Sequence, residues 1–183
     1  MKVLVLACGA SGLIYTDKLL RVLRDKVELE LMYSPNAEVV ARYEGVDIAK
    51  RKNYAKVHPY SLSAPPCSGS YRLDVTIAMP CSVKTMCSAA YGIVSDPISR
   101  ALFVSLKERR RTVIVFRETP LTLSMIECIK RLLLEGAIVT PASPGFYIGI
   151  KSLDEAVGFF VQRVLDRAGI RVEVSRRRGE EQS

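Results

Sequence analysis

The 183-residue chain has no tryptophan, and His58 is its only histidine. A histidine-ligated metal site or a Ser/His/Asp triad would therefore depend on one side chain, which stands in a loop-like stretch. The cysteines are odd in number and none forms a CxxC pair, so their spacing predicts neither a zinc site nor a disulfide framework. We expect all of them to be buried free thiols: Cys8, Cys67, Cys81, Cys87 and Cys128.

Long apolar runs are also missing. No segment reaches the ~20 apolar residues of a membrane span, and the first apolar run, 3–7, is too short for the core of a signal peptide. The composition, 49% apolar and 25% charged, is that of an ordinary globular protein. We therefore predict one cytoplasmic domain with a sizeable core and no membrane partner.

The charge is unbalanced, with a formal net value of +8. Part of the excess lies in Arg176–Arg178 of the C-terminal tail and part in 107–111. A basic surface can bind nucleic acid, but the chain has no interleaving of aromatic and basic residues and no known nucleic-acid-reading motif. Anionic small ligands explain Lys and Arg at strand ends equally well. We predict no nucleic-acid partner and interpret the tail as a solvated charge run.

Short apolar strands alternate with amphipathic helices along the chain, and no hairpin signal interrupts them. The pattern predicts strands over 2–7, 27–33, 75–79, 112–116 and 137–140. It predicts helices over 13–23, 36–43, 96–108, 120–134 and 154–168, and a further helix that follows the third strand and ends at residue 91. A polar excursion, 47–66, contains a short strand near 55–58. This alternation predicts an α/β fold, a single-domain Rossmann-like (flavodoxin-like) doubly wound parallel sheet with helices on both faces.

Polar clusters follow several of these strands, and the carboxyl ends of parallel strands are where such sheets bind ligands. The first cluster is Gly9-Ala10-Ser11-Gly12, which leads directly into a helix. Small residues let the backbone approach a ligand, and the helix N-terminus offers N–H groups to an anion. The segment lacks the full GxGxxG fingerprint of dinucleotide sites. A tight strand-to-helix turn explains it equally well.

Two further clusters contain hydroxyl groups at helix starts. Ser34 follows the second strand, and the segment 82–85 follows the third, with Lys84 inside it. Both serines are suited to capping a helix, and both are placed to contact a ligand. Glu44, after the helix 36–43, is interpreted either as a surface acid or as an acid of the site.

The segment 117–121 is the most informative one. Arg117 and Glu118 follow a β-branched strand, and Pro120 is expected to fix the first turn of the next helix. An ordinary loop needs neither charge. Arg100 and Lys107 are seven residues apart, so they share one helical face and can both bind one phosphate. A merely exposed basic face is the alternative for this pair.

Five segments, taken together, resemble the UbiX-like flavin prenyltransferases in their order and spacing. They are GASG (9–12), PCSVKT (80–85), LKERR (106–110), RETPL (117–121) and PGFY (144–147). The resemblance spans about residues 3–170, and PCSVKT followed by LKERR and RETPL is its specific part. It implies a flavoprotein prenyltransferase domain over 1–170 and leaves 171–183 as a charged, flexible tail.

The resemblance implies a metal-independent reaction in which the dimethylallyl group of dimethylallyl monophosphate is joined to reduced FMN. The product would be prenylated FMN, the cofactor of UbiD-like decarboxylases. Relatives of this kind are dodecamers, so we expect self-association into a homododecamer. The implied flavin-binding positions are Gly9, Ala10, Ser11, Ser34, Ser82, Val83, Lys84, Thr85 and Arg117. The allylic phosphate would be bound by Arg100, Lys107, Tyr147 and Arg163, and the catalytic proton-transfer residues would be Ser11, Glu118 and Glu44.

Two features depart from the family pattern. Cys8 stands before the glycine segment, where the family often has Thr, and the chain lacks any Trp that would shield a carbocation. Two other functions remain open. A flavin-dependent cysteine decarboxylase typically carries a PASANT-like segment and a catalytic His, whereas this chain has PCSVKT and only His58. A non-enzymatic FMN carrier would need no cationic set for a phosphate.

Overall fold

The computed structural model describes residues 1–147 and 149–175, and the side chain of residue 51 is not described. Within these residues the chain forms six strands and six α-helices. The strands are β1 (Lys2–Ala7), β2 (Glu28–Tyr33), β3 (Lys56–Val57), β4 (Val75–Cys81), β5 (Arg111–Phe116) and β6 (Ile138–Pro141). The helices are α1 (Leu13–Leu23), α2 (Pro35–Tyr43), α3 (Val83–Ala90), α4 (Pro97–Lys107), α5 (Leu123–Leu134) and α6 (Leu153–Ala168).

The strands form one sheet in the order β3-β2-β1-β4-β5-β6, and every pairing in it is parallel. Leu4 and Leu6 of β1 pack with α3, α4 and α5, whereas Val3 and Val5 pack on the other face with α1 and α6. Because helices cover both faces, the central strands are apolar without alternation. The predicted doubly wound α/β fold is confirmed.

Two predicted boundaries were wrong. β4 was predicted to end at residue 79 but continues to Cys81, and the start of α5 was misplaced. Pro120 does not open this helix, which begins at Leu123. The Thr122 side chain accepts a hydrogen bond from the N–H of Met125 at 3.4 Å and so caps the helix. The segment 117–121 therefore stays a loop at the carboxyl end of β5.

The polar excursion is tied to the sheet by a buried carboxylate. Glu30 of β2 is fully buried, and it accepts hydrogen bonds from the Tyr71 hydroxyl at 2.6 Å and the His58 ring at 2.8 Å. The ammonium groups of Lys2 and Lys56 lie 3.7 Å from the same carboxylate. His58 is thus a buried structural partner of Glu30.

The expectation that all five cysteines are free thiols was wrong for two of them. Cys87 of α3 and Cys128 of α5 form a disulfide, with 5.2 Å between their Cα atoms. Helices α3 and α5 pack side by side on one face of the sheet, which brings together two residues 41 positions apart. Cys8, Cys67 and Cys81 are free and buried, as expected.

The start of the predicted tail is packed. The N–H of Val174 donates to Gln162 Oε1 at 2.7 Å, and Val172 and Val174 contact the core face beneath α6. Residues 176–183, including the arginine run, lie outside the described residues. None of the described helices is both long enough and apolar enough to span a membrane.

The Glu30 cluster yields a stability prediction. Burial acts to raise the pKa of Glu30, but the hydrogen bonds from Tyr71 and His58 outweigh burial and lower that pKa. The ionised carboxylate therefore stabilises the fold above its unfolded-state pKa, near 4.3, and this stability is lost as the pH falls through the lower folded-state value. We expect Glu30→Gln to reduce the free energy of unfolding at pH 7 by about 3 kcal/mol.

The measurement is urea unfolding at several pH values. The difference between the wild type and Glu30→Gln should narrow as the pH falls below 4.3. Glu28→Gln is the matched control, because Glu28 is exposed and pairs only at the surface with Lys2. Equal stability of Glu30→Gln and Glu28→Gln at pH 7 would contradict the role assigned to the buried carboxylate.

Candidate active site

The order of the sheet reverses at β1, the position at which doubly wound sheets open a crevice. β2 lies on one side of β1 and β4 on the other, and the helices α1 and α3 that follow β1 and β4 pack on opposite faces. Doubly wound sheets bind ligands in the crevice at this point, outside the carboxyl ends of the strands. The predicted flavin-binding segments 9–11 and 82–85 both lie here, directly after β1 and β4.

The first segment passes very close to α2. A side-chain carbon added at Gly9 would collide with Asn36. Gly12 has a φ of 118°, a left-handed conformation that residues with a side chain rarely adopt. Ser11 stands between these two constrained positions and is exposed. The glycines therefore let the loop turn tightly while Ser11 stays exposed.

Glu44, predicted as a further catalytic acid, holds this loop. The N–H of Gly12 donates to Oε1 at 2.7 Å and that of Ile14 donates to Oε2 at 3.1 Å. The carboxylate thus occupies the N-terminus of α1, a place where many nucleotide-binding sheets hold a phosphate. Both oxygens are used in fixing the segment that carries Ser11. A proton-transfer role for Glu44 stays a prediction.

The hydroxyl groups of the next two segments cap helices. Ser34 accepts a hydrogen bond from the N–H of Ala37 at 3.2 Å, and Ser82 accepts one from the N–H of Thr85 at 3.3 Å. The Thr85 hydroxyl oxygen in turn accepts from the Ser82 hydroxyl at 3.0 Å and from the Cys8 thiol at 3.4 Å. A chain of side-chain hydrogen bonds therefore joins the end of β1 to the start of α3.

Lys84 is anchored by a residue that the sequence did not assign to the site. Its ammonium lies 3.0 Å from Asp96, which also caps α4 by accepting the N–H groups of Ile98 and Ser99. Burial acts to raise the pKa of Asp96, but the hydrogen bonds from Ser99 and Lys84 outweigh it and lower that pKa. The ionised Asp96 thus fixes Lys84 between α3 and α4.

These parts fit a flavin mononucleotide. Gly9 packs against Asn36 too closely for a side chain, so this loop offers its backbone to a ligand. The first N–H groups of α3, its hydroxyls and the Lys84 ammonium suit a phosphate or the polar edge of a flavin ring. Among residues 1–147 and 149–175, no cluster of three or more His, Cys, Asp or Glu side chains could hold a metal ion.

Arg117 and Glu118 are exposed at the carboxyl end of β5. Glu118 Oε1 accepts a hydrogen bond from the N–H of Thr119 at 3.1 Å. Burial and the charge of Glu44 raise the pKa of Tyr15, and the charge of Arg117 opposes them. Tyr15 therefore lies near both charges, which places Arg117 close to the loop that follows β1.

Two of the four predicted phosphate residues meet on α4. Arg100 and Lys107 line one cavity of about 530 Å³ between α4 and the segment 62–69, as their seven-residue spacing predicted. Arg100 Nε donates to the backbone oxygen of Cys67 at 3.2 Å. Seven residues of helix place the Cα atoms of Arg100 and Lys107 about 10 Å apart along α4, with Arg100 nearer the carboxyl edge of the sheet.

The other two phosphate residues belong to the opposite side of the sheet. Tyr147 contacts Phe159 of α6 edge-on, with 5.6 Å between the ring centres. Arg163 is exposed on α6, about 15 Å along the helix from its first residue. Because α6 and α4 cover opposite faces, a single chain does not bring the four residues together.

Comparisons with known proteins agree on one family. The family model described as Flavoprotein matches residues 1–160. Flavin prenyltransferase UbiX of Thermoplasma acidophilum is 40% identical over 173 residues, which cover 93% of this chain and 96% of the relative. The same name belongs to a protein of Methanocaldococcus jannaschii that is 37% identical and covers 93% of this chain and 94% of that protein.

Solved structures give the same result. The AnUbiX (PadA1) complex with FMN and dimethylallyl pyrophosphate superposes with a TM-score of 0.91 at 36% identity, covering 98% of both chains. A dodecameric FMN-dependent Ubix-like decarboxylase of Escherichia coli O157:H7 also superposes with a TM-score of 0.91, at 34% identity. The superposition covers 98% of this chain and 100% of the decarboxylase chain. The cysteine decarboxylase SpaF shares only the fold, at 16% identity and a TM-score of 0.63.

Identity of this extent over nearly the whole chain, together with the crevice between β1 and β4, identifies the family. This chain belongs to the UbiX flavin prenyltransferases.

Proposed function

We propose that the protein joins a dimethylallyl group, taken from dimethylallyl monophosphate, to reduced FMN and forms prenylated FMN. The observation that carries the proposal is the meeting of both flavin-binding segments at one crevice, in a chain closely similar to AnUbiX with its FMN and dimethylallyl pyrophosphate. The unit that does this is the domain 1–170. A UbiD-like decarboxylase as recipient of the product, and a cytoplasmic location, stay predictions.

Flavin binding falls to the segments around the crevice. Reduced FMN, when bound, supplies the nucleophilic ring nitrogen of the reaction. The constrained loop 9–12 gives backbone contact, Ser34 and the segment 82–85 give hydroxyl and N–H groups, and Arg117 adds a positive charge from β5. Because Glu44 already fills the N-terminus of α1, anionic parts of the ligand are directed to α3 and Lys84 instead.

Departure of the phosphate requires positive charge and hydrogen-bond donors around its oxygens. Arg100, Lys107, Arg163 and the Tyr147 hydroxyl supply both without a metal ion, and each preorganised donor contributes about 3 kcal/mol to lowering the barrier. The apolar walls of a closed site would keep water from the allylic cation. In the absence of tryptophan, this shielding falls to other apolar groups.

The phosphate site is completed by neighbouring copies of the chain. Arg100 and Lys107 lie on one face of the sheet and Arg163 on the other, so one phosphate can meet all of them only across subunits. Apolar side chains of α5 are exposed in the single chain, with Leu123 74% and Leu134 79% accessible, as expected of a surface covered by a partner. The dodecameric relative supports a homododecamer.

Proton transfer is assigned to two exposed side chains. Closing the new ring requires a proton to leave carbon, and we assign to Glu118 the role of accepting it, directly or through the phosphate. Ser11 orients or relays a proton near the flavin nitrogen from its constrained loop. Glu44 acts on the same loop through its hydrogen bonds to Gly12 and Ile14.

The geometry disfavours the two alternatives. A cysteine decarboxylase of the expected kind needs a catalytic histidine, but His58 is buried and its Nε2 is bound to Glu30 at 2.8 Å. SpaF shares only the fold with this chain. A passive FMN carrier has no need of a second cationic site, so this function does not explain why Arg100 and Lys107 line one cavity.

The first prediction is turnover itself. Incubated without oxygen with reduced FMN and dimethylallyl monophosphate, the protein should add the mass of one five-carbon unit to the flavin. Mass spectrometry of the released flavin measures this, with dimethylallyl pyrophosphate tested in parallel. Flavin that binds and stays unmodified with both donors would overturn the proposed function.

Glu118→Gln tests the proton acceptor. We expect turnover to fall by about 100-fold or more, because removing a positioned general base costs this much, while FMN affinity stays that of the wild type. Glu28→Gln, exposed at the amino end of β2, is the matched control and should leave both quantities unchanged. Normal turnover of Glu118→Gln would remove the acid–base assignment.

Mixed oligomers test whether the phosphate site is shared. Lys107→Ala and Arg163→Ala should each be nearly inactive, since each lacks one cation of the site. When the two variants are dissociated, mixed and reassembled, some sites regain both cations from different subunits and activity returns in part. Activity that stays absent in the mixture, although hybrids form, would show that the two residues do not meet across subunits.

A further inference from the structure

Two free cysteines face each other beneath the crevice. The N–H of Cys8 donates to the backbone oxygen of Pro80 at 3.0 Å, which in a parallel ladder places Cys8 directly beside Cys81. Neighbouring strands are about 4.8 Å apart, a Cα separation that a disulfide can bridge. An irregularity in β4 between Ala78 and Cys81 produces this alignment, because the uninterrupted register, with Leu6 beside Ala78, would place Cys8 beside Pro80.

Both side chains point to the same face of the sheet. Cys8 and Cys81 belong to the core cluster under α3 and α4, and each is only 2% exposed. The hydrogen bond from Cys81, opposed by burial, lowers the pKa of Cys8 to about 7, whereas the same contact and burial raise the pKa of Cys81. Cys8 is therefore the nucleophile of the pair and Cys81 the partner that keeps its proton.

The pair is coupled to the flavin-binding segments. Cys8 immediately precedes the segment 9–11, and Cys81 immediately precedes Ser82. The Cys8 thiol also donates to Thr85 Oγ1 at 3.4 Å, the same oxygen to which the Ser82 hydroxyl donates. A bond between the two sulfurs would withdraw Cys8 from Thr85 and shift both segments at their first residues.

We propose that Cys8 and Cys81 form a reversible disulfide under the crevice, and that its formation weakens FMN binding. The part concerning FMN rests on the proposed function. The oxidant is a small peroxide. The Cys8 thiol gives up its proton, the thiolate attacks one peroxide oxygen, and the O–O bond breaks to leave a sulfenic acid and hydroxide, which takes up the released proton as water. Cys81 sulfur then displaces the sulfenic hydroxyl, which leaves as water with the thiol proton. Two thiols are oxidised, and hydrogen peroxide is reduced to two waters.

The test treats the full-length protein with hydrogen peroxide, with and without FMN, and then maps disulfide-linked peptides and measures FMN affinity by flavin fluorescence. In the wild type we expect a linked peptide containing Cys8 and Cys81, and an FMN affinity about tenfold weaker, equivalent to one lost hydrogen bond at the ligand. Dithiothreitol should restore the affinity. FMN added first should slow the oxidation, because it contacts the segments that follow both cysteines.

Cys8→Thr is the matched control, because threonine keeps a hydroxyl donor for Thr85 and cannot form the disulfide. It retains Cys67 and the Cys87–Cys128 disulfide, so any effect of peroxide or dithiothreitol on those sulfurs appears equally in both proteins. Absence of the linked peptide, or an equal loss of affinity in Cys8→Thr, would overturn the proposal. Neither readout requires prenyl transfer, so a failure of the proposed function is recognised separately.

Discussion

The ladder between β1 and β4 is the constraint on which the rest of the site depends. It is the point where the sheet order reverses, so α1 and α3 leave on opposite faces and a crevice opens between them. Two hydrogen bonds of Cys8, from its N–H to the Pro80 backbone oxygen and from its thiol to Thr85, fix the two predicted flavin-binding segments relative to each other. A one-residue change of register would turn these side chains to the other face.

The fold could be predicted from the sequence because its signals are local. Unbroken apolar strands such as β1 indicate a sheet covered on both faces, and Gly9 with Gly12 indicates a turn too tight for other residues. The start of α5 was missed because the cap at Thr122 competes with the signal from Pro120. When two helix-start signals of similar strength stand this close together, the sequence alone does not show which of them begins the helix.

The contacts within the site could not be predicted, because they join segments that only the fold makes neighbours. Glu44 caps a helix that begins 31 residues earlier in the chain, and Lys84 is held by Asp96 from another helix. Resemblance to a family supplied the candidates for phosphate binding but not their arrangement. Arg163 and Lys107 lie on helices that cover opposite faces. Their proposed contact with one phosphate would therefore depend on subunit assembly, which local sequence patterns do not reveal.

The most direct test is the structure of the assembled protein with oxidised FMN, which lacks the nucleophile, and dimethylallyl monophosphate. We expect FMN in the crevice between β1 and β4. We also expect one phosphate contacted by Arg100 and Lys107 together with Tyr147 and Arg163, with the α4 and α6 residues contributed by different subunits. A flavin bound away from the segments 9–11 and 82–85, or a phosphate held by one chain alone, would contradict this arrangement.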